Sequence, residues 1–160
     1  ATLVHKTSHP NEPVVRVIQG ALHLRNIMLV HDCFGTDIWN GNSAVQIQPP
    51  LDRNDIPVHA TYPSSPPIAL FDGVDIKSVS GRGVVVIDGG FAKIKKCYVH
   101  DCAATGVYVG GPGSEATMID SDIIRNGHGN KSARREGIGR GHSGVYLEQG
   151  VSTLTECNVS

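Results

Sequence analysis

Gly83–Cys102 reads GVVVIDGGFAKIKKCYVHDC. Its grammar is a small residue, a Val-rich alternation, a Gly turn, then Ile94-x-x-Cys97-x-Val99 and a polar turn. The grammar recurs. Upstream, Phe71-x-x-Val74-x-Ile76 precedes it by 23 residues, and downstream Met118-x-x-Ser121-x-Ile123 follows at 24. Leu154-x-x-Cys157-x-Val159 repeats it after a longer loop, and Leu24-x-x-Ile27-x-Leu29 is the first full copy. A fixed period of this length means that each unit buries its apolar side on its neighbours. The sequence therefore predicts an all-β stacked solenoid of about five coils, a single domain over residues 1–160.

Ala1–Gln19 reads as a leading segment, with a turn at His9–Pro13 and a strand at Val14–Ile18 laid on the first coil. Three loops interrupt the coils: 34–42, which holds the only Trp, Trp39; the proline-rich 48–67, which cannot supply ladder strands; and the Gly-rich, basic 127–143. No stretch carries a convincing amphipathic helical face. The formal charge is −1 and the pI about 6.8, which gives no global reason to expect nucleic acid. No apolar run is long enough to span a membrane. The chain opens on Ala1 and stops at Ser160 inside a repeat, so it reads as a processed or excised piece.

Parallel stacking fixes which residues touch, with alternate side chains inward. The expected inward columns are Val45/Val84/Val107/Val145, Ile47/Val86/Val109/Leu147, Leu24/Phe71/Ile94/Met118/Leu154, Ile27/Val74/Cys97/Ser121/Cys157 and Leu29/Ile76/Val99/Ile123/Val159. Cys97 and Cys157 then share a column one coil apart from contact, about 9.6 Å at strand spacing. Cys33 and Cys102 are expected to share a turn position with Val79 between them. Both gaps exceed disulfide reach, so four free thiols are expected. Unpaired cysteines point weakly to the cytoplasm, and no Cys/His zinc spacing is present. His31-Asp32-Cys33 and His100-Asp101-Cys102 are read as turn grammar repeated at one coil position, not as a Cys/His nucleophile.

The cadence G-V-x-V followed by Ile/Leu-x-x-Cys-x-Val-x-x-Asp/Asn, over roughly Gly20 to Ser160, resembles the right-handed parallel β-helix, or pectin-lyase-like, superfamily. It is most similar to the carbohydrate-binding and sugar-hydrolase β-helix repeats, which also occur as non-catalytic modules in eukaryotic F-box and signalling-adaptor proteins. The resemblance implies a fold; it does not by itself supply an activity. In enzymes of this superfamily the substrate groove lies over the sheet corresponding to the G-V-x-V strands.

The outward column of that sheet, Gln46, Val85, Tyr108 and Tyr146, is the first candidate site. All three loops leave from its edges, and aromatic faces with hydrogen-bonding neighbours suit a sugar ring. A Tyr–Tyr ladder that only stabilises the sheet is the competing reading. Candidate ligand-binding residues are Tyr108, Tyr146, Gln46, Trp39, Arg140, His142 and Glu148. In the basic loop, Lys131, Arg134, Arg135 and Arg140 suit a carboxylate or phosphate partner, unless the loop is simply solvated.

Gly127-His128-Gly129 matches one short motif of polygalacturonase-type glycosidases, but the paired Asp-Asp and Arg-x-Lys of those enzymes are missing. Asp120 and Asp122 are the nearest carboxylate pair; on an outward face they read as a charge ladder, with Ca²⁺ held alongside Asp75 or Asn158 as a minor alternative. No metal or other cofactor is otherwise expected.

Three function classes follow. The leading one is a non-catalytic module binding a glycan or protein segment in the loop-walled groove. The second is a polyuronate lyase or epimerase, with Tyr146 or His142 moving the proton and Arg140 neutralising the carboxylate. The third is a structural solenoid. An apolar cross-section left open at the last coil predicts self-association through the coil ends.

Overall fold

The computed structural model describes residues 1–9, 12–33, 43–54, 56–57, 65–128 and 143–160. The described strands wind as a three-faced parallel solenoid. Sheet A holds β1 (Thr2–Thr7), β4 (Met28–Cys33), β7 (Asp75–Ser78), β10 (Tyr98–His100), β13 (Asp122–Ile124) and β16 (Asn158–Val159). Sheet B holds β2 (Val15–Val17), β5 (Ser43–Ile47), β8 (Arg82–Ile87), β11 (Val107–Gly110) and β14 (Val145–Glu148). Sheet C holds β3 (Ala21–Arg25), β6 (Ile68–Asp72), β9 (Phe91–Lys95), β12 (Glu115–Ile119) and β15 (Val151–Thr155). The chain visits A, B and C in turn, and every pair between neighbouring strands is parallel. Among the described residues there is no helix, hence none long and apolar enough to cross a membrane.

The expected columns are those observed. Leu24 pairs with Phe71, Phe71 with Ile94, Ile94 with Met118 and Met118 with Leu154. Val45, Val84, Val107 and Val145 align in the same way. Phe71, Ile94, Met118, Ile76, Val99 and Ile123 are buried in the dry interior. In the last coil Leu147, the partner of buried Val109, is 47% exposed because no further described strand lies over it.

Sharp bends come from left-handed backbone. Sheet C passes to sheet A through Asn26, Gly73, Lys96, Asp120 and Glu156, all at positive φ between 47° and 64°. A single residue there turns the chain while its N–H bonds the next coil, as Lys96 does to the Ile119 carbonyl at 3.0 Å. Asn and Asp tolerate this region, whereas Lys and Glu hold it only because the stack on either side dictates the turn.

Two features of the sequence reading are corrected by this register. The leading segment is itself a coil: Thr2–Thr7 is a sheet A strand beside Met28–Cys33, and Val15–Val17 joins sheet B as expected. The two His-Asp-Cys triplets do not share a coil position. His31 aligns with Ser78 and points inward, fully buried, whereas His100 lies one residue earlier in the repeat and points outward. Cys33 correspondingly sits at the level of Ser80, whose Oγ accepts from its N–H at 2.6 Å, so Val79 does not lie between Cys33 and Cys102. All four thiols are nevertheless free, and Cys33, Cys97 and Cys102 are buried.

Candidate functional site

Sheet B presents Arg16, Gln46, Val85, Tyr108 and Tyr146 as one outward column. Strand spacing sets the two tyrosine rings nearly parallel, at 7° with centroids 5.9 Å apart. The Arg82 guanidinium carbon lies 5.1 Å from the Tyr108 centroid. Arg82 belongs to the coil before Tyr108 and Tyr146 to the coil after it, so both ring faces are occupied. Tyr108 is thus a rung in a stacked column, as in the ladder reading, and the ring presents its edge to the cleft. Its hydroxyl donates to Glu148 Oε2 at 2.9 Å. The ring also folds back over its own strand, where a Cβ on Gly110 would lie 2.6 Å from it. Only glycine leaves that space.

Beside Tyr108 is a cleft of about 340 Å³ lined by Gln46, Arg82, Val85, Asp88, Tyr108 and Gly111. Its hydrogen bonds have a fixed direction. A carboxylate only accepts, so Asp88 Oδ2 must receive the Gln48 amide N–H at 2.8 Å. The Gln48 carbonyl is thereby turned to accept from Gln46 Nε2 at 2.7 Å. That leaves Gln46 Oε1 as a buried acceptor with no partner among the described residues. A buried amide oxygen without a donor costs about 1–3 kcal/mol, so the site is built at some expense of stability.

Of the residues singled out from sequence, Gln46, Tyr108, Tyr146 and Glu148 come together on this face. Trp39, Arg140 and His142 lie outside the described residues, as do Lys131, Arg134 and Arg135. Asp122 stacks between Tyr98 and Asn158 on sheet A, away from the cleft. Among the described residues no three His, Cys, Asp or Glu side chains converge to hold a metal ion.

A second polar cluster, on the outer face of sheet A, was not anticipated. Tyr98 stacks on His100 with centroids 4.0 Å apart. His100 Nδ1 meets Asp101 Oδ2 at 2.6 Å and Nε2 meets Asp75 Oδ1 at 2.9 Å. Arg125 donates from Nε and Nη2 to the two Asp101 oxygens, each at 2.9 Å, and from Nη2 to the Tyr98 hydroxyl at 2.8 Å. The Arg125 fork, then His100, hold the Asp101 carboxyl well below the usual carboxylate range. Bonding to Asp101 and Tyr98 likewise raises Arg125. Cys102 is no nucleophile: burial pushes its thiol up to about 12, so the thiolate is absent at neutral pH.

A sequence profile described as a right handed beta helix region matches residues 58–160. No curated protein and no solved structure matches the chain.

Proposed function

The chain belongs to the right-handed β-helix family, and on that scaffold we propose that it is a non-catalytic recognition module whose sheet B cleft binds a glycan. The carrying observation is Gln46 Oε1, a buried acceptor fixed in direction and with no donor partner among the described residues, on a side chain that lines the cleft. A sugar hydroxyl supplies that donor, and it can accept in turn from a neighbouring N–H. Tyr108 contributes a ring edge to the cleft wall, with Tyr146 and Arg82 packed against it.

The cleft is at the small end of ligand sites, which suits one sugar unit of a longer chain. Its carboxylate, Asp88, is engaged by Gln48, and the neighbouring Glu148 by Tyr108. Such groups position a ligand and are poorly placed to transfer a proton. A glycan array probed with the whole 160-residue chain tests the reading. Retention of glycans by the wild type and their loss from Tyr108→Ala, at a residue that lines the cleft, are expected. An array with no glycan retained, or release of unsaturated products from polyuronates, contradicts it.

A further inference from the structure

Where sheet A turns toward sheet B, a groove of about 580 Å³ is lined by Lys77, Val79, Asp101, Ala103, Arg125 and His128. It lies on a different face from the glycan cleft and stands independently of that reading. Its wall is cationic and its floor aliphatic: Val79 is 52% exposed, although valine gains nothing from water.

Donor accounting shows what is unspent. A guanidinium has five N–H groups in a rigid fork. Arg125 uses Nε–H and both Nη2 hydrogens on Asp101 and Tyr98, which leaves the Nη1 pair. Because Asp101 grips the fork from behind, the remaining edge is held in place before any ligand arrives. Lys77 and His128 have no hydrogen bond or ion pair among the described residues. Asp101 neutralises Arg125, so among the described residues Lys77 is the unmatched full charge on this wall.

We propose that this groove docks an acidic peptide segment, one carboxylate of which pairs with Lys77 and the Nη1 edge of Arg125 while a neighbouring aliphatic side chain covers Val79 and Ala103. A single carboxylate balances the one unmatched cation among the described lining residues. A dianionic phosphate would meet the Asp101 carboxylate on the same wall, a repulsion the monoanion feels less. A uronate satisfies the charge, but its hydroxyls would lie against an aliphatic floor that returns no hydrogen bond. Cys102, also on the groove, is fully buried and has its thiol proton held, so the surface offers docking without thiol chemistry.

The test is titration of the whole chain with Ac-Leu-Glu-Leu-Glu-Leu-NH2, followed by NMR at the Val79 and Ala103 methyls. The matching Gln peptide, sodium glucuronate and inorganic phosphate are the other arms. Expected are saturable shifts at both methyls with the Glu peptide and roughly tenfold weaker binding by Lys77→Glu, since reversing one charge costs far more than losing an exposed pair. Val79→Ser, which leaves the charges alone, is expected to weaken the Glu peptide several-fold. Equal binding of the Gln peptide, indifference to Lys77→Glu, or no shift with any peptide overturns the proposal. Glucuronate or phosphate binding more tightly than the Glu peptide overturns the peptide assignment.

Discussion

On the outer face of sheet A, Tyr98, His100, Asp75, Asp101 and Arg125 form a polar chain in which both imidazole nitrogens and both Asp101 oxygens are matched. On the outer face of sheet B, Gln46, Gln48 and Asp88 form a second polar chain, of two amides and a carboxylate, that ends on a buried oxygen unmatched among the described residues. The first chain is closed. It ties three coils together and positions one arginine edge. The second is open, and the molecule forgoes stability to keep it so. A polar network therefore has to be read by its loose ends: paired groups act as a brace, and a group left over, such as the Gln46 oxygen or the Nη1 edge of Arg125, is where a ligand can bind.

The corner between the two faces should show the largest response. Gly106 immediately precedes the sheet B strand Val107–Gly110, and a Cβ there would lie 2.6 Å from Asn126 Nδ2 and 2.7 Å from the Gly144 carbonyl oxygen. Gly106→Ala is expected to cost about 3 kcal/mol, read as a drop in Tm of roughly 6–12 °C. The aligned position two coils earlier is Ala44, so Ala44→Gly should be mild by comparison. Similar effects from both changes would show that the corner is not tightly stacked.

A smaller effect is expected from opening the closed chain. Asp101→Asn removes charge-assisted bonds to Arg125 and His100, but the side chain is 37% exposed, so solvent screening limits the loss to about 1 kcal/mol. The folded carboxyl lies below its unfolded value. Its contribution is therefore complete above about pH 4 and disappears as pH falls below that, because the unfolded chain takes up the proton first. Buried His31 adds an earlier acid step. Burial lowers its folded pKa, so stability begins to fall as pH drops through about 6.5, where the unfolded imidazole charges. Melting curves from pH 7.5 to 3 should show Asp101→Asn converging on the wild type only at the acid end. A constant offset throughout would detach the loss from the carboxylate.

Most of the fold was legible because identical spacing recurs: the Leu24, Phe71, Ile94, Met118 and Leu154 column follows from the repeat offsets alone. The first strand was legible too, though it went unread. Leu3-Val4-His5 reappears as Leu29-Val30-His31, and those residues pair. The sheet A network left a fainter trace. Asp101 and Arg125 carry opposite charges at the 24-residue repeat offset, which places them in one column. His100 reaches Asp75 diagonally, however, across a register that the apparent identity of the two His-Asp-Cys triplets concealed. The Gln46 column was read correctly, but its unpaired oxygen depends on rotamers and on Gln48. No spacing rule encodes those.

Gln46→Leu is the substitution with the smallest expected effect on folding and the most direct test of the open chain. It removes the unmatched acceptor together with the donor to Gln48 Oε1, so gain and loss offset and Tm should stay near level, while affinity for the glycan that the wild type retains best should fall by about tenfold or more. A lowered Tm with glycan affinity unchanged would contradict the account, because Gln46 would then be a brace like Asp101 and no receptor.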